Sequence, residues 1–199
     1  MKLISLGGVG GCDLAQSLRD LNQKTHPYDW LITTQSFIIH SFNNFDNFFC
    51  FDEKYIHNRT NLLLDNKKAI MLHDFYDFTL EKHSVIEKYK RRFTRLNENL
   101  NSSENILFIR IYDNLNEELI TLNYYDNILV RDEENIQKWD DFILSIQNKY
   151  KKNIKLLVIT SKEDICNSTY ENVIVRFTKE HKSSKAIYDI IEETSKIIF

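Results

Sequence analysis

The sequence predicts an α/β fold: a mainly parallel sheet with helices on both faces, in a Rossmann-like three-layer arrangement, as a single domain over residues 1–199. Three observations predict it. Short apolar runs of strand length alternate with longer runs whose apolar residues recur at helical spacing. The chain opens strand, glycine-rich loop, helix, as a βαβ unit does. No linker, repeat or low-complexity stretch interrupts the 199 residues, a length that suits one domain. Alternating strands and helices place the strands parallel, with the helices as crossovers.

Lys2 to Leu6 is expected as a short buried strand. From Cys12 to Asn22 a helix is expected, with Leu14, Ala15, Leu18 and Leu21 on one face and Asp13 near its start, where it suits the helix dipole. His26-Pro27-Tyr28-Asp29-Trp30 reads as a turn. The apolar and aromatic stretch Leu31 to Phe51 reads as helix with irregular pieces. Lys68 to Leu72 is a second short strand, ending at His73-Asp74-Phe75. Ser84 to Leu100 is a helix whose stripe is Val85, Ile86, Tyr89, Phe93 and Leu96. Asn105 to Tyr112 is a strand, and Glu133 to Tyr150 a helix with Ile136, Trp139, Ile143 and Ile146 inward. Ile154 to Thr160 and Asn172 to Phe177 are strands, and Ser183 to Ile198 is the last helix.

Composition narrows the class. A chain of this length buries roughly 70% of its unfolded surface, so it needs no disulfide or metal to fold. The formal net charge of −3 and pI near 6.1 argue against nucleic acid as the main partner. No apolar run approaches the roughly 18 residues needed to cross a bilayer. The apolar start Leu3-Ile4-Ser5-Leu6 is shorter than a secretory core of roughly 7–15 residues. Cys12, Cys50 and Cys166 are widely spaced, with no CxxC pair and no zinc spacing. A reducing, cytoplasmic setting is therefore expected, with no membrane partner and no cofactor.

All four glycines lie between positions 7 and 11, and the single proline is Pro27. A chain that makes its other turns with Asn, Asp and Ser has placed its glycines where the backbone needs positive φ or a close approach. The loop Gly7-Gly8-Val9-Gly10-Gly11 ends at Cys12, at the mouth of the first strand. A helix N-terminus favours the thiolate, and the N–H groups of Gly8, Gly10 and Gly11 are suited to an oxyanion or a phosphate. The plainer reading is a structural turn with a small buried cysteine. The dinucleotide fingerprint GxGxxG fails, because Asp13 stands where its third glycine belongs, and the P-loop Lys-Ser/Thr is absent.

His73, at a strand end and followed by Asp74, stands where a base for Cys12 would lie. His26 is the rival, with Asp29 as an orienting carboxylate. A capping or surface role is the ordinary alternative for either histidine. The helix bearing Lys82, Lys88, Lys90, Arg91, Arg92 and Arg95 reads as a solvated face, or as an anion-binding one with Arg91 in it. Arg110 differs, because it lies inside the apolar strand ILFIRIY and must pair or face a polar pocket. HExxH, carboxylate clusters and the serine elbow GxSxG are all missing, so a metal site and a serine nucleophile are not expected.

The run Ile4-Ser5-Leu6-Gly7, then Cys12 with Leu18 six residues on, then Pro27-Tyr28-Asp29-Trp30, resembles the opening of the DUF1796 family of papain-like cysteine peptidases. His73 to Phe75 (HDF), Lys88 to Arg92 (KYKRR) with Arg95, and Ile106 to Arg110 (ILFIR) follow in the family's order, and the likeness continues loosely to IKLLVIT. The resemblance implies a cysteine hydrolase with Cys12 as nucleophile and His73 as base, and occurrence in bacteria and large DNA viruses. The loop here is longer than the family's usual SLGxxC spacing, and Tyr28 stands where Phe is usual. Papain-like folds pair a helix with an antiparallel sheet, whereas this chain alternates strand and helix.

Two functions follow. One is a cysteine hydrolase of amide, isopeptide or ester bonds on a small-molecule or peptide substrate, with Cys12, His73 and Asp74 or Asp29 as catalytic residues. The other is a non-catalytic module holding a phosphate-bearing or other anionic ligand at the glycine loop, with His26, Arg91 or Arg110 as its polar contacts. Oligomeric state is open at this level.

Overall fold

The computed structural model describes residues 1–8, 11–44, 56–58, 61–64, 69–71, 77–112, 135–163, 165, 170–180 and 183–198. In chain order they form β1 (Lys2–Gly8), α1 (Gly11–Asp20), β2 (Leu31–Thr33), α2 (Gln35–Asn43), β3 (Ile56–Asn58), β4 (Asn61–Leu64) and β5 (Ala69–Met71). There follow α3 (Phe78–Asn101), β6 (Ile106–Tyr112), α4 (Ile136–Tyr150), β7 (Ile154–Thr160), β8 (Val173–Phe177) and α5 (Ser184–Ile197).

The main sheet has the order β1-β6-β7-β8, with every neighbouring pair parallel. The residues β6 and β7 bury are nearly unbroken along each strand, because both faces of the sheet are covered. Side chains alternate between those faces. Leu3, Leu107, Ile109, Ile111, Leu157 and Ile159 meet Leu14 and Leu18 of α1 and Ile187 and Ile191 of α5. Ile4, Leu6, Ile106, Phe108, Leu156 and Val158 meet Val85, Tyr89 and Leu96 of α3 and Trp139, Ile143 and Ile146 of α4. This is the expected three-layer α/β architecture. Helices α3, α4 and α5 begin on side-chain caps: Asp77 accepts from Leu80 N, Asn135 from Lys138 N, and Ser183 from Ala186 N.

A second sheet, antiparallel and of order β2-β5-β4-β3, was not anticipated. The helix expected from Leu31 begins instead as the strand β2. Three buried residues carry no periodicity that separates strand from helix. The helix starts only after Thr34, whose hydroxyl accepts from Phe37 N. The strand expected at 68–72 is β5, yet its partners run antiparallel to it.

The two sheets meet at the end of β1. Thr33 of β2 donates to Leu6 O at 3.1 Å. Gly7 sits there at φ +71°, and a Cβ on it would lie 2.9 Å from both Leu31 O and Thr33 Oγ1. Gly8 has φ +126° and pairs with Ile111 across an irregular register step, and a Cβ on it would stand 2.0 Å from Ile111 O. These two glycines let three strands converge within one loop. No described helix is long and apolar enough to cross a membrane.

Candidate active site

Cys12 is the second residue of α1 and is half-buried. It stands past the carboxyl end of β1, at the edge of the sheet where ligands of open α/β folds bind. The first turn of α1 is fixed to the first residue of α5. Ser17 Oγ lies 2.8 Å from Asp13 O and 2.8 Å from Ser184 O, and Ser184 Oγ lies 3.3 Å from Asp13 Oδ1. Cys12 is therefore presented by a braced helix end and not by a free loop.

The turn at 26–30 reaches the end of β1, where Tyr28 O would lie 3.0 Å from a Cβ on Gly7. His26 N donates to Asp29 Oδ2 at 2.8 Å, and Asp29 N to His26 O at 3.3 Å. Asp29 thus closes its own turn by accepting from the His26 backbone, not from the imidazole. Tyr28 is buried, and its hydroxyl donates to Ser41 Oγ at 2.8 Å, since Ser41 itself donates to Ile38 O. Burial pushes the Tyr28 phenol well above its ordinary value. Trp30, at φ +67°, carries Arg19 of α1 over its ring at 5.2 Å.

His26 is 3% exposed, and its Nε2 lies 2.8 Å from Asn99 Nδ2. An amide donor there requires a neutral ring. Burial, then the Arg95 guanidinium, lower its pKa from 6.5 to about 4, although the Lys24 backbone works in the other direction. Its Nδ1 is buried without a hydrogen bond. The same helix grips the turn again, as Arg95 donates to Thr25 O. His26 is a structural member of the interface between the turn and α3.

Arg110 is 2% exposed. It donates through Nη1 to Thr33 Oγ1 at 2.6 Å and Leu6 O at 3.2 Å, and through Nη2 to Thr33 O at 2.8 Å. Its guanidinium carbon lies 5.6 Å from the Trp139 ring centre. The charge inside an apolar strand is spent on joining β2 to β1. Arg91 is exposed on α3, while Arg92 is buried over the Tyr89 ring at 4.8 Å.

Of the remaining expected residues, Gly8 is committed to the β1–β6 approach and Gly11 opens α1. Gly10, His73 and Asp74 lie outside the described residues. Met71, two residues before His73 in the chain, pairs with Leu31, whose carbonyl faces Gly7. No group of three or more His, Cys, Asp or Glu able to hold a metal occurs among the described residues.

Sequence reasoning passed over Tyr112 and Lys162. Lys162 Nζ donates to Tyr112 Oη at 2.9 Å at the carboxyl ends of β6 and β7. The signal was their position just past two apolar strands, but only the strand order makes them neighbours.

No curated protein and no solved structure matches the chain. A family model does, over residues 1–144, and its description is "Putative papain-like cysteine peptidase (DUF1796)". That match takes in Cys12, the 26–30 turn, both sheets' first strands and Arg110, and the chain belongs to the DUF1796 family.

Proposed function

We infer that the protein is a cysteine-dependent hydrolase of amide, isopeptide or ester bonds, with Cys12 as its nucleophile. The observation that carries this reading is the place of Cys12: half-buried, in the first turn of a braced helix, at the carboxyl edge of a parallel sheet. The first-turn N–H groups of a helix lack intrahelical acceptors, and its dipole favours an anion there. Both effects stabilise a thiolate at Cys12 and an oxyanion beside it.

In the reaction, the Cys12 thiolate attacks the substrate carbonyl and forms a tetrahedral oxyanion. Collapse breaks the bond to the leaving group, which takes a proton from the base, and leaves a thioester on Cys12. Water, deprotonated by the same base, then releases the acid and the thiolate. Family resemblance nominates His73 as that base; of the two carboxylates considered to orient it, Asp74 is the next residue in the chain, while Asp29 is engaged by the His26 backbone N–H. His26 is poorly suited, because its Nε2 is held by Asn99 and its ring stays neutral down to about pH 4.

The test is the pH dependence of Cys12 alkylation by iodoacetamide, with the adduct located by peptide mass mapping. An apparent pKa well below the free-thiol value of roughly 8.5, rising in His73→Ala, is expected. A thiol that titrates near that value and ignores His73 would refute the assignment.

A further inference from the structure

The main sheet ends on an open edge. Strand β8 (VIVRF) closes the order β1-β6-β7-β8, and among the described residues no strand lies beyond it. Asn172 O accepts from Leu156 N, and Thr178 N donates to Thr160 O, both across to β7. Backbone groups alternate in direction along a strand, so the even-numbered residues of β8 face β7. The N–H and C=O groups of Val173, Val175 and Phe177 therefore point outward. Among the described residues, the side chain that reaches this edge is Arg176, whose Nη1 donates to its neighbour Val175 O at 3.3 Å. An apolar edge of this kind is a template for another strand.

The α4 side of the edge is apolar as well. Asp140 Oδ1 accepts from Asn172 N at 2.8 Å, and Gln147 Nε2 donates to Asn172 Oδ1 at 2.9 Å, so this stripe of α4 lies over the start of β8. Leu144 falls between them on the same stripe and is 46% exposed. Val173 and Val175 pack with the core on that side of the sheet, and alternation puts Phe177 there too.

A second copy of this chain fits the edge in one register. A two-fold axis through Val175 sets the two β8 strands antiparallel. It pairs Val175 with Val175, Val173 with Phe177 and Glu171 with Lys179 of the second copy. Every outward N–H of one β8 then meets an outward carbonyl of the other. Glu171 and Lys179 flank the strand, are exposed, and make no ion pair among the described residues. Opposite charges set across a strand pair attract. Phe177 of the second copy falls beside Val173, on the side that carries Leu144. Moving the axis one residue forward sets Arg176 against Arg176, and moving it one residue back sets Glu171 against Phe177.

We propose that β8 is a homodimer interface, through which two copies of the chain join edge to edge into one continuous sheet. The strand that leads to Cys12, β1, stands at the opposite end of the strand order, away from the joint. The interface does not depend on the reading of Cys12 as a nucleophile.

The experiment is sedimentation equilibrium of the full chain, with amide hydrogen exchange of segment 172–178 read by mass spectrometry. A monomer–dimer equilibrium is expected, with exchange of that segment slowing as the protein is concentrated. The Val175 N–H faces away from β7, so Val175→Pro should abolish the dimer and leave the β7–β8 ladder in place. Glu171→Lys and Lys179→Glu each set like charges opposite one another at both ends of the joint, and each should raise the dissociation constant about tenfold. The double variant exchanges the charges and should restore it, a test that stands even where Val175→Pro does not fold. A chain that stays monomeric up to its solubility limit overturns the proposal. So does a dimer that survives in folded Val175→Pro, or a dissociation constant that is the same in the wild type and in the single and double charge variants.

Discussion

Arg110 holds Thr33 by both its hydroxyl and its carbonyl, at 2.6 and 2.8 Å, across the seam between the two sheets. Thr33 passes the link on by donating to Leu6 O, and Arg110 reaches the same carbonyl. One guanidinium thus fastens β2 to the end of the strand that leads to Cys12. Arg110→Met should destabilise the fold by about 3 kcal/mol, because it leaves buried acceptors without their donor. Thr33→Val should cost less, since it removes the hydroxyl alone. Denaturant unfolding of both variants and the double mutant should give a coupling of about 1–2 kcal/mol. Additive losses would mean that the two side chains do not act as one fastening.

The glycine loop makes a second prediction. A Cβ at Gly8 would stand 2.0 Å from the backbone oxygen of Ile111, and backbone cannot swing aside as a flexible side chain can. Gly8→Ala should therefore prevent normal pairing of β1 with β6, at a cost above the roughly 1–3 kcal/mol of ordinary overpacking. Gly7→Ala meets gentler contacts at 2.9 Å, with its positive φ adding about 1–2 kcal/mol of strain. Thermal unfolding should rank wild type above Gly7→Ala and Gly7→Ala above Gly8→Ala. The reverse order would show that β1 can shift away from Ile111.

Stability should fall in acid through His26. Its folded pKa of about 4 lies below the unfolded 6.5, so the unfolded chain binds the proton more readily. The contribution is fully present above pH 6.5 and is lost as pH falls from 6.5 towards 4, by about 3 kcal/mol over the window. Urea midpoints across that range should show the decline in wild type and a flatter profile in His26→Gln. The same profile in both proteins would remove His26 as its source.

The sequence made the main sheet readable because its strands are long, apolar runs set between helices with clear stripes. Ile106 to Tyr112 and Ile154 to Thr160 fall within a residue of their expected ends. The second sheet was hidden because β2 has three residues, too few for either period to show. The place of Cys12 at the start of α1 was legible from the glycines before it, although Gly7 and Gly8 turn out to serve the strand seam. Arg110 stood out as a charge inside an apolar strand that must pair or face a polar pocket, and it donates to Leu6 and Thr33. Its partners did not stand out, since Leu6 and Thr33 lie 104 and 77 residues away in the chain. His26 drew notice as a chemical residue, and its tie to Asn99, 73 residues on, makes it a packing one.

The start of α2 is joined to the start of α4 through one side chain. Gln35, 2% exposed at the start of α2, donates through Nε2 to Asn135 O at 2.8 Å. It also accepts from Asn135 N at 3.0 Å through Oε1. Its amide so mimics a strand partner for the residue that caps α4, satisfying a backbone donor and acceptor together. Gln35→Glu keeps the acceptor, loses the donor and sets a carboxylate beside the Asn135 carbonyl. Gln35→Leu keeps the bulk and loses both bonds. Each should cost about 1–3 kcal/mol, and the Asn135 amide should exchange with solvent faster in Gln35→Leu than in Gln35→Glu, which still accepts its hydrogen bond. Equal exchange rates in the two variants would mean that the Asn135 N–H is protected by burial alone, and that Gln35 acts only by filling space.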